Sequence, residues 1–402
     1  MDNNHDGVVI IGAGICGLAT ALALHKKGIK AVVMEKSESL RNVTGAAITI
    51  RPNGWRALHQ LGVADILRQT AIPIHWERII SLDGGRKKEI SLTPWDGESR
   101  CLRRKDLIDT LYAALPRGTV KFDCQLESIK LDPRSNKPVL LFVNGNSIIA
   151  KLVIGCDGGK SIIADFLNLK PTKTFPLCSI RGLTNYPSGH SYGHEFTRFM
   201  KDNVLVGIIP IDENLIYWFC ATSYNPGADK KAWEDPEVIR QSSLEFVREH
   251  PQEIHEMIEN ADAKSLSLTN LRYRAPWELL TSTFCKGTVM VAGDAMHIMG
   301  PFLAQGGSAG LEDAVVLARI MAQQGLNSPE SGNKMTVQGV QEAFYRFVKE
   351  RRMRVVRLSF QTYLTGMIVS ASSRIKKIIY IILLILLFHN QSGHIDYDCG
   401  DL

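Results

Sequence analysis

The sequence lacks the cysteine patterns of metal centres and disulfide frameworks. Its eight cysteines are scattered along 402 residues, and no two of them form a C-x-x-C pair. Thiols distributed in this way are typical of reduced proteins in a reducing compartment and argue against a structural zinc site. We therefore expect free thiols and no metal ligands.

Basic arms and export signals are also missing from the sequence. The net charge of +6 is spread along the chain without an arginine-rich tract, so no nucleic-acid partner is expected. Only the segment MDNNHDG precedes the first apolar run, and it is too short and too acidic for a signal or transit peptide. These features predict a cytoplasmic protein.

The apolar run at residues 378–388 is too short to cross a bilayer. As a helix, its 11 residues would extend about 16 Å, against about 30 Å of hydrocarbon. Arg374, Lys376 and Lys377 precede it, as basic residues do in interfacial anchors. Two interpretations stay open. We favour a helix packed on the body of the protein over a weak contact of residues 374–388 with a membrane surface.

The strongest positive signal is a glycine-rich turn after the first apolar strand. Residues 8–11 (VVII) have the β-branched character of a buried parallel strand, and Gly12, Gly14 and Gly17 follow in G-x-G-x-x-G spacing. The first glycine permits the turn, the second lets the backbone approach a pyrophosphate, and the third lets a helix pack on the strand. The predicted helix, residues 14–27, would point its N-terminal N–H groups at those phosphates.

A second strand and an acidic residue complete this unit. Residues 31–34 (AVVM) form the strand and Glu35 closes it, where a carboxylate accepts hydrogen bonds from ribose hydroxyls. Because Glu35 would repel a 2′-phosphate, the unit predicts FAD or NAD rather than NADP. Lys36 follows directly and is assigned to the same cofactor-binding set. The alternative is a glycine-rich turn in an ordinary α/β protein.

The middle of the chain is predicted to add an antiparallel sheet. Residues 76–82 and 87–92 alternate in polarity around Asp83-Gly84-Gly85, which is a hairpin signal. Residues 172–222 are predicted to form a second sheet, most clearly at 204–210 and 215–221. Antiparallel strands that follow parallel ones indicate a smaller domain inserted into a nucleotide-binding domain.

Several helices are expected around these sheets. Asn53 is predicted to cap a helix at 54–61, and one helix is predicted from about 236 to 259. A further helix covers 308–323, and another resumes from 338. The KERRMR run at 349–354 is interpreted as the solvated face of that last helix.

Two later motifs point to a flavin. Residues 293–297 read GDAMH, Pro301 follows, and Gly306 and Gly307 open a helix. Asp294, placed after a strand, can bond a ribityl hydroxyl of a flavin. The N–H groups of the two glycines, at a helix N-terminus, can stabilise the negative charge of a reduced flavin ring. Pro301 would stiffen the loop near the ring.

Together these motifs resemble the flavin-dependent aromatic hydroxylases, the group A monooxygenases. Gly155-Cys156-Asp157-Gly158 and Ser161 are similar to that family's DG motif, which is implicated in pyridine-nucleotide and flavin binding. All three motifs occur in family order, and the resemblance covers residues 8–357. The segments RCLRRKDLIDTLYAALP, GCDGGKS, GDAMH, LEDAVVLAR and YDCGDL resemble the plant monooxygenase 1-like branch, related to salicylate hydroxylase and zeaxanthin epoxidase.

The resemblance implies a set of cofactor-binding residues in addition to Lys36. Arg104, in an R-x-x-L pattern with Leu107, would reach toward the flavin. Asp157 belongs to the DG motif, and Asp294 would hold the ribityl chain. The implied set is Gly12, Gly14, Gly17, Glu35, Arg104, Asp157, Asp294, Pro301, Gly306 and Gly307. No catalytic acid or base is assigned.

The resemblance also implies an activity. Such enzymes bind FAD, consume NADPH or NADH, and insert one oxygen atom from O₂ into a small aromatic or isoprenoid-like substrate through a flavin C4a-hydroperoxide. The nicotinamide would bind transiently in a groove, and the substrate would lie between the sheet near residues 204–221 and the flavin. The alternative function is a non-catalytic FAD-fold binding protein of the GDP-dissociation-inhibitor type. An FAD halogenase would carry a W-x-W-x-I motif, which the sequence lacks.

The implied domains follow from this order of elements, because 402 residues exceed one compact core. Residues 1–75, 100–170 and 270–330 are assigned to a discontinuous FAD-binding domain. Residues 76–99 and 171–269 are assigned to a substrate domain, and 331–402 to a C-terminal helical region. The predicted fold class is α/β: a Rossmann-like domain with an inserted, mostly antiparallel substrate sheet and C-terminal helices.

The sequence departs from the family pattern at three places. Ala164 and Asp165 stand where an arginine is frequent after the DG motif, Ala304 replaces a glycine, and Phe302 replaces an acidic or amide residue. Other residues have two interpretations. His297 is interpreted as packed in the loop rather than a proton relay, and Cys156 as a buried filler. Arg51 is left open between facing the flavin and being solvated, and Tyr217 and Trp218 between pocket and core.

Overall fold

A computed structural model describes residues 4–40, 46–83, 86–91, 97–201, 204–223, 234–326, 336–371, 373–388 and 393–402. Within these ranges the strands are β1 (Asn4–Ile11), β2 (Ala31–Met34), β3 (Ala47–Ile50), β4 (Trp76–Ser81), β5 (Arg86–Ser91), β6 (Arg100–Arg103), β7 (Val120–Lys121), β8 (Leu126–Leu131), β9 (Pro138–Phe142), β10 (Ser147–Gly155), β11 (Lys173–Asn185), β12 (Glu195–Lys201), β13 (Val204–Pro210), β14 (Leu215–Thr222), β15 (Ser267–Tyr273), β16 (Cys285–Lys286) and β17 (Val289–Val291). The helices are α1 (Ile15–Lys26), α2 (Pro52–Leu61), α3 (Ala64–Arg68), α4 (Arg104–Ala113), α5 (Ile162–Phe166), α6 (Pro236–Phe246), α7 (Gln252–Glu259), α8 (Pro276–Thr281), α9 (Asp294–His297), α10 (Gly306–Gln323), α11 (Val337–Ser370) and α12 (Arg374–Leu387).

The first sheet places a parallel core at the centre of the protein. Its strand order is β16-β17-β10-β1-β2-β7, with β8 and β9 attached beside β10. β1 pairs in parallel with both β10 and β2, and β10 pairs in parallel with β17. Val8, Val9 and Ile10 are wholly buried, as expected of an apolar strand covered on both faces.

The second sheet has seven strands in the order β15-β11-β14-β13-β12-β4-β5. Its pairs are antiparallel except β12 with β4. The predicted hairpin is present as β4 and β5, and its turn residues Gly84 and Gly85 lie outside the described residues. α6 and α7 cover one face of this sheet around Trp218. A parallel sheet with an inserted antiparallel one confirms the predicted fold class.

Two helix predictions were wrong in detail. Asn53 does not cap α2; the helix begins at Pro52, two residues earlier than predicted, with Arg51 at the cap position. Asn53 is instead wholly buried inside the helix. The single helix predicted over 236–259 is two helices, α6 and α7, because Pro251 stands at the start of α7 and a proline lacks the N–H that a continuous helix needs.

The C-terminal region is helical, as predicted. α11 runs for 34 residues along the body, and α12 follows after a short turn. None of the helices in the described parts of the chain is both long enough and apolar enough to cross a membrane.

Candidate functional site

The three predicted cofactor motifs meet at one edge of the first sheet. Each follows the carboxyl end of a parallel strand: Gly12 follows β1, Asp157 follows β10, and Asp294 follows β17. Because β10 lies between β1 and β17, the three turns are neighbours. The N–H of Cys156 donates to the carbonyl oxygen of Ile11 at 2.8 Å and joins the first two turns. Nucleotides bind at this edge in doubly wound sheets.

The glycines of the first turn have different surroundings. A Cβ on Gly12, whose φ is +99°, would lie 2.7 Å from the carbonyl oxygen of Cys156, and a Cβ on Gly17 would lie 1.9 Å from that of Gly12. A Cβ on Gly14 would meet no described atom within 4 Å. No described side chain caps α1, which begins after Gly14. The turn therefore presents open space and N–H donors to a ligand.

Glu35 closes β2 beside this turn. Its Oε2 accepts a hydrogen bond from the N–H of Ala13 at 2.8 Å, and its Oε1 accepts one from Ser37 at 3.0 Å. The carboxylate is 7% exposed and holds the turn in place, a role that the sequence did not reveal. Each oxygen keeps a second lone pair for a ribose hydroxyl. Lys36 extends its side chain into solvent.

Asp157 and Ser161 both bond the first turn of α5. Asp157 Oδ2 accepts from the N–H of Ile162, and Ser161 Oγ accepts from that of Ala164, each at 2.8 Å. Burial raises the pKa of Asp157, although hydrogen bonds from Ser161 and the backbone oppose the shift. Its Oδ1 is buried and has no partner among the described residues. An unpaired oxygen at this edge fits a ligand that donates a hydrogen bond.

Asp294 lies beside the start of α10. Its side chain is accessible to solvent, yet the surrounding protein raises its pKa by desolvation, which the charges of His297 and Arg104 oppose. A carboxylate that is both accessible and closely surrounded belongs to a concave surface. A Cβ on Gly306 would lie 3.9 Å from Asp294 Oδ1. The structure thus brings Arg104, Asp294 and Gly306 together.

The loop before α10 leads to the first glycine beside Asp294. Pro301 is exposed and begins a 3₁₀ turn. α10 begins at Gly306, and no described side chain caps its first turn. A Cβ on Gly307 would lie 2.4 Å from Cδ1 of Ile48 in β3, so glycine allows the close approach of α10 to β3. The uncapped N–H groups and the dipole of an 18-residue helix favour an anionic group at this point.

Two departures from the family pattern lie in the same loop. Phe302 packs edge-on against Phe175, with 5.2 Å between ring centroids. Ala304 adopts a left-handed conformation with φ of +51°, which is unfavourable for a residue with a Cβ.

Replacing Ala304 by glycine is expected to raise the free energy of unfolding by about 1 kcal/mol, because the left-handed conformation costs an L-residue roughly 1–2 kcal/mol and glycine's freedom in the unfolded chain returns part of that. Thermal unfolding of the two proteins measures the difference. Ala113→Gly, at an exposed position of α4, is the matched control and should destabilise by up to about 1 kcal/mol. Equal destabilisation by both changes would contradict the prediction.

A buried ionic network supports the turn that carries Asp294, and sequence analysis missed it. Asp313 Oδ1 accepts from Nε of Arg351 at 2.7 Å. Its Oδ2 accepts from the N–H of Gly293 at 2.9 Å and from Nε2 of His297 at 2.7 Å. The three side chains are wholly buried. His297 is therefore packed in the loop, as interpreted, and the network fixes both flanks of Asp294.

Glu312 extends this network toward α2. It pairs with Arg351 at 2.7 Å and Arg354 at 2.8 Å. Its Oε1 also accepts from Nδ2 of Asn53 at 2.6 Å, and the same amide donates to Gln305 Oε1 at 2.8 Å. Gln305 precedes the first residue of α10, so the network also fixes the start of that helix.

The interpretation of the KERRMR run as a solvated face was wrong for Arg351, although Lys349 and Met353 are exposed. Arg351 is wholly buried, and the ring of Tyr397 lies 4.9 Å from its guanidinium and 4.7 Å from that of Arg354. The C-terminal tail thus covers the network. Two adjacent acids, Glu312 and Asp313, within an otherwise apolar helix were the available signal, because buried carboxylates require buried cations.

The second sheet turns an aromatic face toward the first sheet. Phe196 and Tyr217 belong to the core shared with the first sheet, and Phe219 packs against it. Trp218 lies on the opposite face in the core under α6 and α7. Arg181 stands directly opposite Phe219 in the β11–β14 register, so both share the aromatic face. Nε of Arg181 donates to Ser179 Oγ at 3.3 Å, and no carboxylate of the described residues pairs with it.

Arg51, directly after β3, contacts the second sheet. It forms an ion pair with Glu77 of β4, which also pairs with Arg198 of β12 at 2.7 Å. The Arg51 side chain is buried, so the solvated interpretation is wrong. The charges of Arg51 and Arg198 hold the pKa of Glu77 below its usual range even though burial alone raises it.

The cysteines do not contribute reactive groups to the described site. All eight are free thiols. Sγ of Cys16 and Sγ of Cys156 lie 3.8 Å apart beneath the glycine turn, and the hydrogen bond between them together with burial raises the pKa of Cys16. A raised pKa disfavours the reactive thiolate of Cys16. Cys156 is buried, in agreement with its interpretation as a buried filler. The described residues form no cluster of His, Cys, Asp or Glu suited to a metal ion.

The groups at this edge fit a dinucleotide: open space beside Gly14, unpaired N–H donors at the uncapped starts of α1 and α10, and the acceptor oxygen of Asp157. The family model described as "FAD binding domain" matches residues 6–327. Monooxygenase 1 of Arabidopsis thaliana is 46% identical over 400 residues, which are 98% of this chain and 99% of the relative. The chain belongs to the FAD-dependent monooxygenases.

Other FAD-dependent monooxygenases agree with this assignment. Monooxygenase 2 of Arabidopsis thaliana is 35% identical over 368 residues, 90% of this chain and 89% of the relative. The crystal structure of Klebsiella pneumoniae HpxO complexed with FAD and uric acid superposes with a TM-score of 0.80 at 22% identity over 96% of each chain. That structural likeness shows the fold. The predicted family, the enzyme class and the FAD cofactor are confirmed.

Proposed function

We propose that this FAD-dependent monooxygenase consumes NADPH or NADH and inserts one oxygen atom from O₂ into a small aromatic or isoprenoid-like substrate. The convergence of three ligand-binding turns at one sheet edge, opposite an aromatic sheet face, is the observation that carries the proposal. Family membership does not favour the alternative of a non-catalytic binding protein.

The cofactor-binding residues are part of the proposal. Gly12, Gly14 and Gly17 would receive the pyrophosphate at the start of α1, and Glu35 with Lys36 would bind the adenosine ribose. The flavin half would be held by the remaining residues of the set: Arg104, Asp157, Asp294, Pro301, Gly306 and Gly307. The two sheets support the proposed division into an FAD-binding domain (1–75, 100–170, 270–330), a substrate domain (76–99, 171–269) and a helical region (331–402).

The chain's own groups have electrostatic and positioning roles. Bound FAD supplies hydride acceptance and oxygen activation. The start of α10 would place a partial positive charge near the bound flavin ring, and Asp294 would hold the ribityl chain. The buried network around Arg351 keeps both in place. The aromatic face of the second sheet excludes water from the reacting atoms and positions the substrate.

The substrate class follows from the side chains of that face. Tyr217 and Phe219 suit a flat, apolar ring. Arg181 has no carboxylate partner among the described residues, and its guanidinium can bind an anionic or hydrogen-bond-accepting substituent. Uric acid, a flat ring system with acceptor oxygens, is the compound named in the HpxO complex. We infer an aromatic substrate with a carboxylate or enolate group.

Replacing Arg181 by methionine is expected to lower kcat/KM for an anionic aromatic substrate about 10- to 100-fold, since a hydrogen bond to a charged group contributes roughly 1.5–3 kcal/mol. The loss should appear in KM more than in kcat. Arg181→Lys keeps the charge and should recover part of the loss, whereas neutral phenols should be turned over equally by all three proteins. An unchanged KM in the methionine variant would exclude Arg181 from substrate binding.

The function as a whole is tested on the purified protein by absorbance and oxygen labelling. We expect a flavin spectrum that bleaches with NADPH or NADH without oxygen, and nicotinamide consumption in air that a panel of hydroxylated aromatic acids stimulates. With ¹⁸O₂, one labelled atom should enter the product. Flavin that neither nicotinamide reduces would reject the proposed co-substrate. Stimulated consumption that yields only hydrogen peroxide for every compound would reject monooxygenation of this substrate class.

A further inference from the structure

Helix α12 exposes an apolar surface that the fold does not cover. None of its residues is buried, and its isoleucines and leucines reach exposures of 72% at Ile375 and 64% at Leu386. The favoured sequence interpretation, a helix packed on the body of the protein, holds for only one narrow side of α12, which lies against α11. Apolar patches of this kind mark contacts with membranes or other proteins.

The exposed surface extends around most of the helix. The partly covered residues of α12 are Lys377, Tyr380 and Leu384. They form one stripe because they are three and four residues apart. At 100° per residue the other positions cover roughly two-thirds of the circumference. A protein partner covers one face of a helix, whereas a fluid apolar phase surrounds it from several sides.

The charged residues of α12 itself are all positive. Arg374 and Lys376 are exposed in its first turn, and the sequence contains no aspartate or glutamate between Arg351 and Ile395. Basic residues beside an apolar helix are attracted to anionic lipid head groups and contribute about 1 kcal/mol each near such a surface. The charge pattern therefore complements an anionic membrane.

The C-terminal end of α12 returns to the protein, and the helix contacts α11. Phe388 is buried directly after the helix, and the carbonyl oxygen of Ile395 accepts a hydrogen bond from Arg56 at 3.1 Å. The 14 residues of α12 span about 21 Å, less than the hydrocarbon thickness of about 30 Å. The helix therefore lies in the plane of the interface.

Aromatic residues border the covered stripe. Trp277 of α8 is 46% exposed, and its ring lies 5.4 Å from that of Tyr363 on α11. Burial raises the pKa of Tyr363, and the nearby hydroxyls of Tyr273 and Tyr380 add to the shift, so Tyr380 of α12 lies close to this pair. Tryptophan and tyrosine are enriched at membrane–water interfaces.

We propose that α12 docks this monooxygenase on an anionic membrane surface. The isoleucine and leucine side chains enter the boundary between head groups and acyl chains, and Arg374 and Lys376 contact lipid phosphates. The enzyme body stays on the aqueous side, because the tail after α12 returns to it.

Vesicle co-sedimentation of the full-length, FAD-loaded protein tests this proposal. We expect the wild type to sediment with vesicles of phosphatidylcholine and phosphatidylserine, and several-fold less with phosphatidylcholine alone. Ile382→Gln combined with Leu386→Gln should lower binding by about a factor of ten or more, because two aliphatic side chains leave the apolar phase. Arg374→Gln with Lys376→Gln should remove the preference for phosphatidylserine only.

A matched control carries two substitutions of exposed apolar residues elsewhere. Tyr345→Gln with Met353→Gln on α11 should bind vesicles as the wild type does. A normal flavin spectrum shows that each variant is folded. Wild-type protein that stays in the supernatant with anionic vesicles overturns the proposal. So does a wild-type dimer in sedimentation velocity that Ile382→Gln and Leu386→Gln abolish, since a second copy would then cover the helix.

Discussion

Replacing Gly14 by alanine is expected to weaken FAD binding on the order of 100-fold while leaving the stability of the apoprotein unchanged. The position tolerates a side chain within the protein, because a Cβ there meets no described atom within 4 Å and its φ of −76° is ordinary. The methyl group would instead occupy the space proposed for the pyrophosphate. Loss of one or two hydrogen bonds to a charged phosphate, roughly 1.5–3 kcal/mol each, accounts for the factor.

The neighbouring glycine provides the contrast for this prediction. A Cβ on Gly17 would lie 1.9 Å from the carbonyl oxygen of Gly12, so Gly17→Ala should destabilise the protein with and without cofactor. Titration of apoprotein with FAD, followed by flavin fluorescence, and urea unfolding without FAD separate the two effects. If Gly14→Ala bound FAD with wild-type affinity, the pyrophosphate would not lie at this turn.

Replacing Arg351 by methionine is expected to lower the free energy of unfolding by about 3–5 kcal/mol, the range for removing one partner of a buried ionic network. The substitution leaves the carboxylates of Glu312 and Asp313 buried without their shared cation. Lys349→Met is the matched control, two residues away on the same helix and exposed, and should change stability by less than about 0.5 kcal/mol. Urea unfolding at neutral pH measures both.

The pH dependence of the unfolding free energy, compared between the wild type and Arg351→Met, gives a second readout. Burial alone raises the pKa of Asp313, but His297 and Arg351 outweigh it and hold the pKa at about 2, below the usual 3.8. Because the pKa of Asp313 is lower in the folded state, its ionised form contributes fully to the stability of the wild type above about pH 4. That contribution is lost as the pH falls toward 2. Without Arg351, the pKa of both buried carboxyls rises. Their protonation then removes the unpaired buried charge that destabilises the variant. The stability difference should therefore narrow on acidification toward pH 4; a constant difference would exclude a charge-based role.

The sequence predicted the residues of the cofactor-binding turns better than the contacts that hold those turns in place. The glycine turn, Glu35 and the start of α10 were predicted because backbone sterics and strand polarity act within short segments. Glu35 was assigned to the ribose alone, and its bond to Ala13 was missed. The roles of Asn53 and Gln305 were missed altogether, because their partners lie about 250 residues apart in the sequence and meet only through the packing of α2 on α10.

The sequence by itself determined the type of cofactor, which depends on local turn chemistry. It also determined that an antiparallel sheet is inserted after parallel strands, which depends on strand periodicity. Only the tertiary structure decided which charges are buried. Lys349 and Arg351 lie on one helix two residues apart, yet one is exposed and the other wholly buried, because α10 and Tyr397 cover only one side of α11. The same reason applies to α12, whose apolar residues would suit a core. Whether a residue is buried depends on what packs against its helix, and the rest of the protein covers only a narrow stripe of α12.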